Sequence, residues 1–172
     1  MKILGIDPGT ATTGYGIIDA PSLSSLPRRG EGIRERSNHG IKLLEYGCIL
    51  TDKKLPAPAR LLEIHRDLTK LIKKYRPQVL AVESVFFYSN VKTAISVAQA
   101  RGIVLLCGQQ HKLVLKEFTP LQVKNSLTGY GKADKKQVQY MVKQLLKLKT
   151  YPKPDDAADA LAVAICAAGK SV

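Results

Sequence analysis

The sequence predicts an α/β fold: a mixed five-stranded sheet, the first three strands antiparallel, flanked by helices on both faces. Three observations predict it. Residues 2–50 hold three short apolar segments separated by turn and loop residues, with no helical spacing among them. Beyond residue 50, strand and helix patterns alternate, the order that builds crossovers covering both faces of a sheet. Between two of those helices, Val79-Leu80-Ala81-Val82 is wholly apolar, as expected of a strand buried on both faces.

Residues 3–6 and 14–18 are expected strands. Asp7-Pro8-Gly9-Thr10-Ala11-Thr12-Thr13 joins them, with Pro-Gly and the threonines favouring a turn. Residues 45–50 form the third strand. Residues 20–42 are rich in Pro, Ser, Gly and Arg and poor in apolar residues, which predicts a mobile surface loop inserted between strands two and three. Residues 58–75 read as a helix: Leu61, Ile64, His65, Leu68, Leu71, Ile72 and Tyr75 recur on one face, while most of the basic residues fall on the other. Pro77 ends it, and residues 79–83 are the fourth strand. A second helix is expected over residues 91–107, with Gly102 a weak interior point. Residues 113–118 are the fifth strand. Thr119-Pro120 then reads as N-cap and first residue of a short helix. Asp134 is the expected N-cap of a helix reaching about residue 148, and a last helix follows Pro152-Lys153-Pro154.

The 172 residues suit one domain, 1–172, with a real core. The net charge of +13 favours a polyanionic partner, nucleic acid first, although a basic chain can also be merely well solvated. Cys48, Cys107 and Cys166 have no metal-ligand spacing and read as small buried filler in a reducing cytoplasm. Gly5 and Asp7 interrupt the first apolar run too early for a signal peptide, and no stretch is apolar enough to span a bilayer.

Four carboxylates carry the chemistry. Asp7 and Glu83 each end an apolar strand, where an acid costs desolvation energy unless a cation or donor compensates. Asp156 and Asp159, three apart, share a face in the first turns of the last helix. They can simply answer the helix dipole, and Asp155 is the expected N-cap. The small Ala157, Ala158, Ala160 and Ala162 would let that helix end approach the sheet and leave the acids projecting. An all-oxygen cluster suits magnesium or manganese. For Asp7 two readings stand: a strand-end metal ligand, or part of a phosphate-binding turn of the actin-like ATPase type. After Glu83, the loop Ser84-Val85-Phe86-Phe87-Tyr88-Ser89-Asn90 offers aromatics that could stack on an unpaired base or anchor the loop in the core. Lys124 and the cluster Lys132, Lys135 and Lys136 flank a Gly-rich loop and could hold phosphates or form a solvated face. His39, His65 and His111 share no spacing and receive no role.

These segments, in order, resemble the RuvC-type Holliday-junction resolvases of the ribonuclease H-like nuclease superfamily. The matching stretches are Gly5-Ile6-Asp7-Pro8-Gly9-Thr10 with Gly14-Tyr15-Gly16, and Val82-Glu83 with Phe86 and Asn90. Further on come Ala98-Gln99-Ala100-Arg101-Gly102, Gln122-Val123-Lys124, residues 129–138, and Asp156-Ala157-Ala158-Asp159-Ala160-Leu161-Ala162. The resemblance implies a ribonuclease H-like fold and a catalytic tetrad of Asp7, Glu83, Asp156 and Asp159. It implies two Mg²⁺ ions held there, with Mn²⁺ able to substitute. Phe86 would match an aromatic that stacks at the junction. Lys124 and Lys135 would match DNA-contacting lysines, with Lys136 as the register alternative. The implied activity is paired symmetric nicking of four-way DNA by a homodimer, giving 5′-phosphate and 3′-hydroxyl ends, with the RuvA–RuvB branch-migration complex as partner. Residues 20–42 depart from the family's shorter connection.

Overall fold

The computed structural model describes residues 1–21, 40–84 and 91–169. Its elements are β1 (Lys2–Asp7), β2 (Thr12–Asp19), β3 (Lys42–Leu50), α1 (Ala57–Tyr75), β4 (Val79–Glu83), α2 (Val91–Gln110), β5 (Val114–Phe118), α3 (Pro120–Thr128), α4 (Lys135–Leu145) and α5 (Asp155–Gly169). The strands form one five-stranded sheet in the order β3-β2-β1-β4-β5. β1, β2 and β3 pair antiparallel, and β4 runs parallel to both β1 and β5. The expected mixed sheet is what forms.

Alternation along the strands builds two cores. Ile3, Ile18, Val79 and Ala81 face α3, α4 and α5. Leu4, Ile6, Ile17, Leu80 and Val82 face Ile64, Leu68 and Ile72 of α1 and Ala100, Val104 and Cys107 of α2. Because side chains alternate with a period of two, Asp7 (one after Ile6) and Glu83 (one after Val82) project on the α5 side.

α5 lies unusually close to that side. A Cβ on Gly5 would sit 2.2 Å from the Ala160 carbonyl oxygen, and one on Gly14 would sit 2.0 Å from that of Asp156. The alanines expected to permit close approach are buried, but the strand glycines beneath them are equally necessary. Gly14→Ala should therefore cost about 3 kcal/mol or more, since the added methyl meets backbone that cannot rotate away. A chemical-denaturation midpoint equal to wild type would contradict this.

Several boundaries differ from expectation. β3 begins at Lys42 rather than residue 45, because pairing with β2 continues past an irregularity at Ile17/Ile18 to Asp19↔Lys42. The expected loop at 20–42 therefore gives up its last residue to the strand; its residues 22–39 lie outside the described residues. α1 closes at Arg76, whose left-handed conformation (φ 50) lets its N–H donate to the Ile72 carbonyl before Pro77. α2 runs to Gln110, and exposed Gly102 does not interrupt it. α4 stops at Leu145, short of residue 148, because the chain reverses through a left-handed Lys147 (φ 52); Leu148 still packs on the core. Thr119 and Asp134 cap α3 and α4 as expected, each reciprocated by a glutamine three residues on, Gln122 and Gln137. Asp155 is not an N-cap. It is the first residue of α5, and the Pro154 carbonyl accepts from the Ala157 and Ala158 amides at 3.1 and 3.2 Å. Cys107 and Cys166 are buried as expected, whereas Cys48, on the edge strand β3, is half-buried; all three are free thiols. No helix among the described residues is long and apolar enough to cross a membrane.

Candidate active site

The parallel register pairs Ile6 with Val82, so Asp7 and Glu83 stand side by side where β1 and β4 end. The antiparallel register pairs Asp7 with Gly14, the residue on which the Asp156 backbone rests. The first turn of α5 is thereby seated over the end of β1, bringing Asp156 and Asp159 to Asp7 and Glu83. The turn after Asp7 is tied both internally and to the end of β3. The Thr13 hydroxyl donates to the Gly9 carbonyl at 2.6 Å, and the Thr51 hydroxyl donates to that of Thr10 at 2.6 Å.

Burial and neighbouring charge act together on Asp7, Glu83 and Asp159. Burial pushes the Asp7 carboxyl up from 3.8 to about 7, and the charges of Glu83, Asp159 and Asp156 add to the rise against Lys135. Burial also raises Glu83, helped by Asp159 and opposed by Lys124. Asp159 is raised chiefly by burial, while Lys135 pulls it down and Asp155 and Asp156 push it up. Lys135 Nζ lies 3.1 Å from Asp159 Oδ2 and 3.2 Å from Asp155 Oδ2. A cleft of ≈ 260 Å³ opens between β4, α3, α4 and α5, and Glu83, Asp159, Lys124 and Lys135 line it.

Half-buried carboxylates gathered this way mark a place where a cation would be stabilised. The donor set is all oxygen, which suits a hard divalent cation rather than zinc. Among the described residues, no three His, Cys, Asp or Glu side chains are gathered closely enough to hold an ion as they stand. The oxygen donors and the acidic charges that bear on Asp7 nevertheless fit a cation, while Asp159 is held by Lys135.

Of the other expected site residues, Lys124 is half-buried beside Glu83, and Lys132 and Lys136 are exposed on the α3–α4 connection and α4. Lys135 bridges carboxylates instead of standing free. Phe86, with Phe87 and Tyr88, lies outside the described residues. His65 pairs with Gln110 at 2.9 Å across α1 and α2. Sequence reasoning missed the part of Asp155, which holds Lys135 together with Asp159 and accepts from Gln139 at 3.2 Å. The usable signal was the Asp134-x-x-Gln137 capping box, which fixes Lys135 as the first residue of α4.

Comparison with known proteins gives a consistent picture. Residues 3–167 match the family model described as crossover junction endodeoxyribonuclease RuvC. The crossover junction endodeoxyribonuclease RuvC of Thermosipho melanesiensis is 51% identical over 168 residues, covering 98% of this chain and 97% of that protein. The structure of Thermus thermophilus RuvC superposes with a TM-score of 0.83 at 32% identity, over 98% of this chain and 94% of that one. The same Thermus protein in complex with a Holliday junction substrate gives a TM-score of 0.83 at 32% identity, over 96% and 92%.

Proposed function

The chain belongs to the RuvC family of crossover junction endodeoxyribonucleases, and we propose that it resolves four-way DNA junctions in recombination and repair, with Asp7, Glu83, Asp156 and Asp159 as its catalytic carboxylates. The observation that carries this reading is the meeting of acids from the ends of β1 and β4 and the start of α5, where burial first, and the charges of Glu83, Asp159 and Asp156 after it, raise the Asp7 carboxyl to about 7. The four carboxylates would hold two divalent ions, Mg²⁺ or in its place Mn²⁺. When bound, such ions polarise the phosphodiester, lower the pKa of a water nucleophile and stabilise the departing 3′ oxygen, leaving 5′-phosphate and 3′-hydroxyl ends.

The chain's own residues do the rest. Lys124 and Lys135 line the cleft beside Glu83 and Asp159, where each can meet a phosphate oxygen and hold the strand in line. Lys132 and Lys136 extend the basic surface along the DNA, and Phe86 would stack on a base opened at the crossover. Lys135 also offsets the Asp155 and Asp159 charges, restraining the carboxylates until DNA arrives.

A four-way junction has near two-fold symmetry and needs two paired cuts, which a C₂ homodimer supplies. α2 exposes Ile95 and Leu106, an apolar face suited to pairing with a second copy. Residues 1–172 would act as one nuclease domain, coupled to the RuvA–RuvB branch-migration complex.

The test compares substrates. With Mg²⁺, a four-way junction should be cut at least about tenfold faster than a linear duplex or an RNA–DNA hybrid of equal length, a preference worth roughly 1.4 kcal/mol or more in the transition state. Faster cutting of the hybrid would instead assign the chain a ribonuclease H activity.

A further inference from the structure

Tyr130 is 58% exposed, yet the loop that carries it is tightly fixed. Gly129 closes α3 in the left-handed conformation (φ 72) and donates to the Asn125 carbonyl at 2.9 Å. The Tyr130 amide donates to Thr128 Oγ1 at 3.1 Å, and its carbonyl accepts from the Ala133 amide at 3.1 Å. A large aromatic ring held outward on a rigid backbone is already organised for binding and loses little freedom on contact.

The ring forms a wall shared by two grooves. Tyr130, Tyr140, Tyr151 and Lys136 line one, of ≈ 430 Å³. Tyr130, Leu121, Asn125 and Lys132 line the other, of ≈ 420 Å³. Each groove thus combines apolar or aromatic surface with one exposed lysine, and Lys143 Nζ lies 5.0 Å from the Tyr151 ring centre at the edge of the first. Lys136 in that groove directly follows Lys135 in α4, which contacts Asp155 and Asp159.

We infer that Tyr130 and its two grooves are a binding site for unpaired nucleotides of the junction, the ring stacking on a base and Lys132 and Lys136 meeting the phosphates on either side. This inference rests on the junction-cleaving reading above. Aromatic faces with interleaved lysines match the two chemistries of a nucleotide, a flat π-surface and an anionic backbone. The nucleotides at a strand-exchange point are the ones able to leave the stack, and the chain's charge of +13 favours such a polyanion over a protein surface.

The experiment uses the full chain and a four-way junction carrying 2-aminopurine at successive positions around the crossover, titrated without divalent ions. Tyr130→Ala should weaken binding by about tenfold. Tyr130→Phe should restore it to within about twofold, because the ring is kept. Tyr130→Leu should not, because bulk without a π-face cannot stack. The salt dependence should keep its log–log slope in all three, since no charge changes, whereas Lys132→Ala and Lys136→Ala should each flatten it by about one unit. The 2-aminopurine signal at one position should change with wild type and the Phe variant and stay flat with Ala and Leu.

Wild-type binding and signal in Tyr130→Ala would overturn the inference, as would be found if the grooves dock a protein partner. Equal weakening in Ala, Phe and Leu, in step with lower melting temperatures, would overturn it in favour of a structural role. A wild-type chain that does not prefer the junction to linear duplex would remove the parent reading as well. A wild type that binds and cuts normally, beside an unaltered Tyr130→Ala, would remove this site alone.

Discussion

Asp7→Asn is expected to slow junction cleavage by about a thousandfold or more while leaving junction binding within about twofold of wild type. The substitution keeps the shape of the side chain and removes one negative charge from the centre of the carboxylate group. Asp7 is the acid that feels the charges of all three of the others. Its loss should therefore cost ion binding and transition-state stabilisation together. Affinity for the junction, by contrast, should come from lysines meeting phosphates, and none of them is altered. Gel shift without divalent ions and nicking with Mg²⁺, run on the same preparation, separate the two effects. Binding lost in parallel with cleavage would make Asp7 a structural residue.

The same substitution should stabilise the chain when divalent ions are chelated. In the unfolded chain Asp7 releases its proton near 3.8, whereas in the fold burial and its neighbours hold the proton to about 7. Between those values the folded state binds more protons than the unfolded one. This contribution is fully present below about 4, falls as pH rises to about 7, and is absent above it. Three pKa units correspond to about 4 kcal/mol as an upper limit, because the unfolded chain and local relaxation take up part of the shift. In EDTA at pH 8, Asp7→Asn should melt several degrees above wild type, and the gap should narrow by pH 5. Adding Mg²⁺ should raise the wild-type melting temperature more than that of the variant. A variant that melts at or below wild type at pH 8 would mean that the carboxylate is not under the strain its neighbours imply.

Much of this arrangement was legible from the residues. Asp7 and Glu83 each follow an apolar run by one position, and a period of two puts both on the face opposite Ile6 and Val82. The spacing of Asp156 and Asp159 and the alanines between them announced a helix end that could meet those strands. The landing place was harder to read. Gly5 and Gly14 signal close approach in a strand, but which backbone approaches depends on how a helix some 150 residues later is folded back. The pairing of Lys135 with Asp155 and Asp159 depends on the packing of α4 against α5, which periodicity does not encode. Asp155 misled because aspartate favours the N-cap, while here the Pro154 carbonyl takes the first amide bonds and frees that side chain for Lys135. The early end of α4 turns on a left-handed lysine, Lys147, which no propensity predicts.

The most direct test of the account is single-turnover cleavage of one four-way junction, with saturating Mg²⁺ and enzyme in excess, by wild type and by Asp7→Asn, Glu83→Gln, Asp156→Asn and Asp159→Asn. If all four carboxylates serve one centre, each amide variant binds the junction and loses at least about a hundredfold in rate. Near-wild-type cleavage by any one of the four would contradict the account.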